Sequence, residues 1–99
     1  MEKKKLNSAE KIIKNTVFKF LDPKEYEIFV FGSRAHGGAK KYSDYDIGIT
    51  GKKPVSSLSK IFIEENLEES NLPYKVDIVD FAKIPKKFKK VAMSNIKKL

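Results

Sequence analysis

The chain has 99 residues, 40% hydrophobic and 34% charged, which suits one small soluble domain with a thin core, spanning residues 1–99. It has no cysteine, so a disulfide framework and a thiolate metal site are excluded, and no apolar run approaches the roughly 18–20 residues of a membrane span. The formal net charge of +8 favours polyanionic partners such as nucleotide phosphates, nucleic acid or an acidic protein face, although a lysine-rich solvated surface gives the same count.

Met1 to Lys5 is charged and has no apolar segment behind it, unlike a secretory signal, so the cytoplasm is the expected compartment. Asn7 and Glu10 have the spacing of a helix N-terminal capping pair. Ile12, Ile13, Thr16, Val17, Phe20 and Leu21 then recur on one helical face, and Asp22-Pro23 ends the helix. Glu27 to Phe31 is a short apolar run closed by glycine, the pattern of a strand buried on both faces. Gly37-Gly38 and the residues to Lys41 read as a turn or loop. Asp44 to Thr50 alternates, with Tyr45, Ile47 and Ile49 on one face and Asp44, Asp46 and Gly48 on the other.

After a turn over residues 51–54, Val55 to Ser70 reads as a helix with Val55, Leu58, Ile61 and Phe62 inward. Its C-terminal half carries Glu64, Glu65, Glu68 and Glu69, which oppose the helix dipole and imply solvent exposure or a basic partner. Tyr74 to Asp80 reads as a third strand, with Lys75, Asp77 and Val79 on one face. Pro85 opens a last helix with an apolar stripe of Phe88, Val91, Ala92, Ile96 and Leu99. No acidic residue follows Asp80, while seven lysines do. The order α-β-(short helix or turn)-β-α-β-α gives an α/β (α+β) fold, a small mixed β-sheet with helices packed on it.

The carboxylates carry the first chemical signal. Asp44 and Asp46 lie two apart on a strand and share a face, where their like charges repel unless solvent or a cation intervenes. Mg²⁺ prefers such hard oxygen donors and keeps waters for substrate phosphates. A plain polar strand face is the competing reading. Asp77 sits mid-strand between Val76 and Ile78, where an unpaired carboxylate is costly. If its strand lies beside the second, the three aspartates share one face and can hold two metal ions. Asp80 is the rival third carboxylate, on the opposite face.

Gly32 ends the first strand and leaves its backbone open to a ligand. Ser33 offers a hydroxyl and an N–H, and Arg34 a guanidinium suited to phosphate. A helix starting at Arg34 would aim free N–H groups at an anion. An ordinary strand-to-helix turn capped by Ser33 is the competing reading.

Gly32-Ser33-Arg34-Ala35-His36-Gly37, Ser43-Asp44-Tyr45-Asp46-Ile47-Gly48-Ile49 and Val76-Asp77-Ile78-Val79 together resemble the DNA polymerase β-like nucleotidyltransferase superfamily, and within it the minimal nucleotidyltransferases. The resemblance covers nearly the whole chain and implies a polymerase β palm-like fold. It further implies that Asp44, Asp46 and Asp77 ligate two Mg²⁺ ions, with Mn²⁺ as a substitute. Gly32, Ser33 and Arg34 would hold the phosphates of a nucleoside triphosphate, ATP being favoured. The expected act is transfer of AMP to a hydroxyl, with release of pyrophosphate. Such proteins commonly pair, as antitoxins, with a small all-helical HEPN-domain protein, which would be the acceptor. His36 departs from the pattern, which usually has arginine there, and a neutral imidazole binds phosphate less well.

Two other readings stand beside this one. The chain could neutralise a partner by complex formation alone, and it could self-associate through its helices. A nucleic-acid binder built on the C-terminal lysines is disfavoured, because Phe88 falls on the apolar stripe and no stacking platform is evident.

Overall fold

The computed structural model of the chain describes residues 6–32, 35 and 44–99. Helix α1 (Ser8–Phe20) starts at the expected capping box. The Asn7 side chain accepts from the Glu10 N–H at 2.8 Å, and the Glu10 carboxylate accepts from the Asn7 N–H at 3.1 Å. Such a cap stabilises a helix by about 1 kcal/mol. Glu10 does more than cap. It is only 4% exposed and receives the Lys97 ammonium at 2.7 Å, so a near-C-terminal lysine is pinned to the first helix.

Strands β1 (Tyr26–Phe31), β2 (Tyr45–Gly51) and β3 (Val76–Asp80) lie near their expected positions. β1 and β2 pair antiparallel, with Phe31 opposite Asp46 and Phe29 opposite Gly48. β2 and β3 pair in parallel, joined by α2 (Ser57–Glu68) as a crossover. β3 starts two residues later than its sequence suggests, and Tyr74 instead packs edge-on against Tyr45 at 5.3 Å.

Ile13 and Val17 of α1 and Ile63 and Leu67 of α2 close over one sheet face, on Ile28, Val30, Tyr45, Ile47, Ile49 and Ile78. The other face carries a phenylalanine cluster. Phe81, in a 3-10 turn over Phe81–Lys83, meets Phe29 at 4.8 Å and Phe31 at 5.1 Å, both edge-on. Gly48 makes this possible, since any side chain there would run into the rings of Phe29 and Phe81.

Two expectations need correction. Val55 is buried, but it precedes the helix, which begins after the N-cap Ser56. Leu58, Ile61 and Phe62 do not point inward. They are 66%, 48% and 44% exposed, and Ile63 and Leu67 take the inward face. Five large apolar residues spread round this helix, so periodicity alone does not choose its buried side.

The second correction concerns the C-terminus. Helix α3 (Lys86–Met93) stops at the Ser94 C-cap, and Lys97–Lys98 forms a short strand, β4, antiparallel to β1. The sheet order is β3-β2-β1-β4. Of the predicted stripe, Ala92 and Ile96 pack against the phenylalanine cluster and Leu99 against the main core. Phe88 and Val91 stay exposed. Among the described residues no helix is long and apolar enough to cross a membrane.

Candidate active site

The parallel pairing of β2 and β3 settles where the carboxylates lie. Asp46 is directly opposite Asp77 in the register, and cross-strand partners share a sheet face. Asp44 stands just before β2, exposed, on the same side by alternation. The three expected aspartates therefore share one end of one face. Asp46 is the central member. Phe31 flanks it from β1 and Asp77 from β3.

This position leaves an electrostatic signature. The Asp46 carboxyl is pushed above the ordinary aspartate range, first by burial, then by the charge of Asp77, then by that of Asp44. Among the described residues the ion pair made by these aspartates is a weak one. The exposed Lys75 ammonium lies 3.9 Å from Asp77 Oδ1. Among the described residues no three acidic or imidazole side chains converge closely enough to cage a metal ion. The aspartates share a face and a field, not a finished ligand shell. Their chemistry fits a hard divalent cation, with all-oxygen donors and mutual repulsion that such an ion would relieve.

Gly32 occupies a position that only a residue without a Cβ fits. Its φ is +73°, in the left-handed region, and a Cβ there would come 2.5 Å from Asp46 Oδ2. The backbone at the end of β1 thus lies against the central carboxylate. A bulkier residue would both strain the turn and displace Asp46. Ser33, Arg34 and His36 lie outside the described residues.

Asp80, the rival third carboxylate, has a different task. It is 8% exposed, with its carboxylate accepting from the Val55 N–H at 2.8 Å and the Ala82 N–H at 3.0 Å. It ties the entry of α2 to the end of β3 on the helix-covered face. This lock between two segments 25 residues apart is invisible to pattern reading, which registers only a carboxylate on the wrong face.

Beyond Asp77, at the outer margin of β3, a groove of ≈ 400 Å³ opens between that strand and α2. Glu64, Leu67 and Glu68 form its helix wall, and Tyr74, Lys75 and Asp77 lie on the strand side. The sequence points to the acidic run but not to this neighbour.

A profile of the nucleotidyltransferase domain matches residues 9–99. The chain belongs to the nucleotidyltransferase domain family. A probable protein adenylyltransferase, MntA of Haemophilus influenzae, is 37% identical over 86 residues, which cover 87% of this chain and 75% of the relative. Among solved structures, a chain of a toxin–antitoxin complex with AMP-PNP is similar with a TM-score of 0.70 and 25% identity, over 93% of this chain and 72% of that one. A chain of a complex described as the toxin–antitoxin MntA-HpeT mutant Y104A gives 0.68 and 27%, over 96% and 72%. A third, from a tri-AMPylated Shewanella oneidensis HEPN toxin in complex with an MNT antitoxin, gives 0.60 at 22% identity, over 89% and 69%, and bears on the fold alone. As a nucleotidyltransferase domain of minimal type, the chain has the mixed sheet and flanking helices its sequence implied.

Proposed function

We propose that this nucleotidyltransferase transfers AMP from ATP to a hydroxyl of a partner protein of HEPN type. The observation that carries the reading is Asp46 set opposite Asp77 across a parallel strand pair, with the Gly32 backbone against its carboxylate. The adenylyltransferase relative and the toxin–antitoxin complexes, one with AMP-PNP, support an adenine nucleotide and a toxin-type protein partner.

In this reading Asp44, Asp46 and Asp77 would hold Mg²⁺, or Mn²⁺ in its place, and such an ion, when bound, would supply charge neutralisation at the phosphates and lower the pKa of a hydroxyl beside it. The backbone at Gly32, with Ser33 and Arg34, binds the β- and γ-phosphates and fixes the α-phosphorus in front of Asp46. Asp77 faces the acceptor and receives the hydroxyl proton. The acceptor oxygen bonds to the α-phosphorus as the bond to the bridging oxygen of the β-phosphate breaks, and pyrophosphate leaves. In-line geometry needs the acceptor on the side of Asp46 away from the phosphate turn, which is the β3 side.

The test is transfer of label from ATP labelled at the α-phosphorus into proteins of the source cell's lysate with Mg²⁺. The wild type should label a protein band that Asp44→Asn/Asp46→Asn does not, and label at the γ-phosphorus should not transfer. Equal labelling by both forms would overturn the mechanism.

A second reading is favoured by the apolar side chains left in solvent, Leu58, Ile61, Phe62 and Val91. The chain could neutralise its partner by occluding it. Complex formation indifferent to Asp46→Asn, together with no transfer by the wild type, would select this reading.

A further inference from the structure

We propose that the groove between β3 and the acidic end of α2 seats the acceptor, and that it takes a basic peptide segment carrying the acceptor hydroxyl. The inference rests on the transferase reading above and adds which chemistry the acceptor must present.

Three independent observations converge. The first is place. Asp77 is at once the third carboxylate of the candidate site and part of the groove lining, so a chain lying in the groove passes directly by the position where the hydroxyl is needed. The phosphate turn at Gly32 is on the other side of Asp46, across β1. Nucleotide and acceptor therefore approach the carboxylates from opposite sides, as an in-line displacement requires.

The second is charge. The chain carries a net +8, yet among the described residues the groove presents Glu64, Glu68 and Asp77 against Lys75. Among the described residues, the ion pair of Glu64 is a long 3.9 Å contact to Lys60 between two partly exposed side chains. The glutamates gain nothing from the helix dipole, because they lie in its C-terminal half. An arginine or lysine of a partner would meet them favourably, and a phosphate backbone would be repelled. The lean of Lys75 toward Asp77 shows where a cation from another chain would sit.

The third is shape and backbone. β3 is the outer strand of the sheet among the described residues. The Lys75 carbonyl accepts from the Tyr45 N–H at 2.9 Å, so Lys75 turns its backbone groups toward β2. By strand alternation Val76, which also lines the groove, turns its own N–H and C=O outward. A peptide main chain can pair with these groups, while Leu67 and Tyr74 give its side chains an apolar floor.

The experiment separates docking from chemistry. Fluorescein-labelled short peptides containing tyrosine, serine and threonine are titrated by anisotropy, one series flanked by arginine and lysine and one by glutamate. A single-stranded oligonucleotide of similar length is the third probe. The basic peptide should bind the wild type best and lose about three- to tenfold in affinity in Glu64→Gln/Glu68→Gln, with further weakening at high salt. Binding of Mg·ATP should be unchanged in that variant, which confirms that it is folded and keeps its nucleotide site. Failure of the basic peptide to bind, binding that ignores the double substitution, or preference for the glutamate peptide or the oligonucleotide would each overturn the proposal. Transfer of α-label to the bound peptide is then scored separately. Docking without transfer would count against the transferase reading and leave the groove assignment standing.

Discussion

At the scale of single residues, four aspartates that look alike in the sequence divide into two kinds. Asp44, Asp46 and Asp77 gather on the open face, where they repel one another, while Asp80 is sunk on the covered face and bonded to two backbone N–H groups. The consequences differ in sign. Asp80→Ala leaves both donors unsatisfied and should cost about 2–4 kcal/mol in urea denaturation. Asp46→Asn removes a carboxylate the fold holds at a disadvantage. Because the folded protein raises the affinity of Asp46 for its proton, the unfolded chain ionises first as pH rises, and stability declines across that window. Without divalent ions at neutral pH, Asp46→Asn should therefore melt higher than wild type. Asp46 is only partly buried, so solvent screening limits the gain to roughly 1–5 °C. The difference should fade as pH drops to the ordinary aspartate range, and a lower melting temperature for the variant at neutral pH would contradict the account. Gly32→Ala tests the same centre from the backbone side. Its positive φ costs about 1–2 kcal/mol for a residue with a Cβ, and the new methyl displaces the Asp46 carboxylate. Transfer should fall by at least about a hundredfold while the melting curve stays cooperative.

Among the elements, legibility followed the strength of the local signal. The capping box of α1 and the alternation of β2 are written in a few adjacent residues, and both stand where the sequence puts them. The face of α2 is not, because Leu58, Ile61 and Phe62 form as good a stripe as Ile63 and Leu67, and only packing against β3 and α1 decides between them. β4 is hidden for a different reason. Two lysines carry no strand propensity, and the pairing with Phe29 and Val30 is supported by a buried ion pair between residues 87 apart. That dependence is testable. Glu10→Gln removes a charged partner of the largely buried Lys97 ammonium, so the amide protons of β4 should exchange faster while those of β2 keep their protection. Unchanged exchange at the C-terminus would mean that backbone pairing alone holds the strand. The candidate site was readable because its residues are tied to strand parity, and the groove beside it was not, because it exists only once α2 folds back over β3.

For the whole molecule, a basic chain gathers two clusters of acidic groups, the carboxylate face and the end of α2, and the parallel β2–β3 pair makes them neighbours. Divalent ions should therefore act on the folded protein even before catalysis. Addition of Mg²⁺ or Mn²⁺ should raise the melting temperature of the wild type and do so much less for Asp46→Asn, since only the former concentrates repelling charge at one point. Equal shifts in both would argue against a metal at these residues. The claim on which the rest depends is that Asp77, and not Asp80, completes the site with Asp46. Single-turnover transfer from α-labelled ATP to the partner protein tests it most directly, with wild type, Asp77→Asn and Asp80→Asn run side by side at a temperature where all three are folded. The account predicts transfer by the wild type and Asp80→Asn, and loss of at least about a hundredfold in Asp77→Asn. Transfer that survives Asp77→Asn and disappears in Asp80→Asn would contradict it.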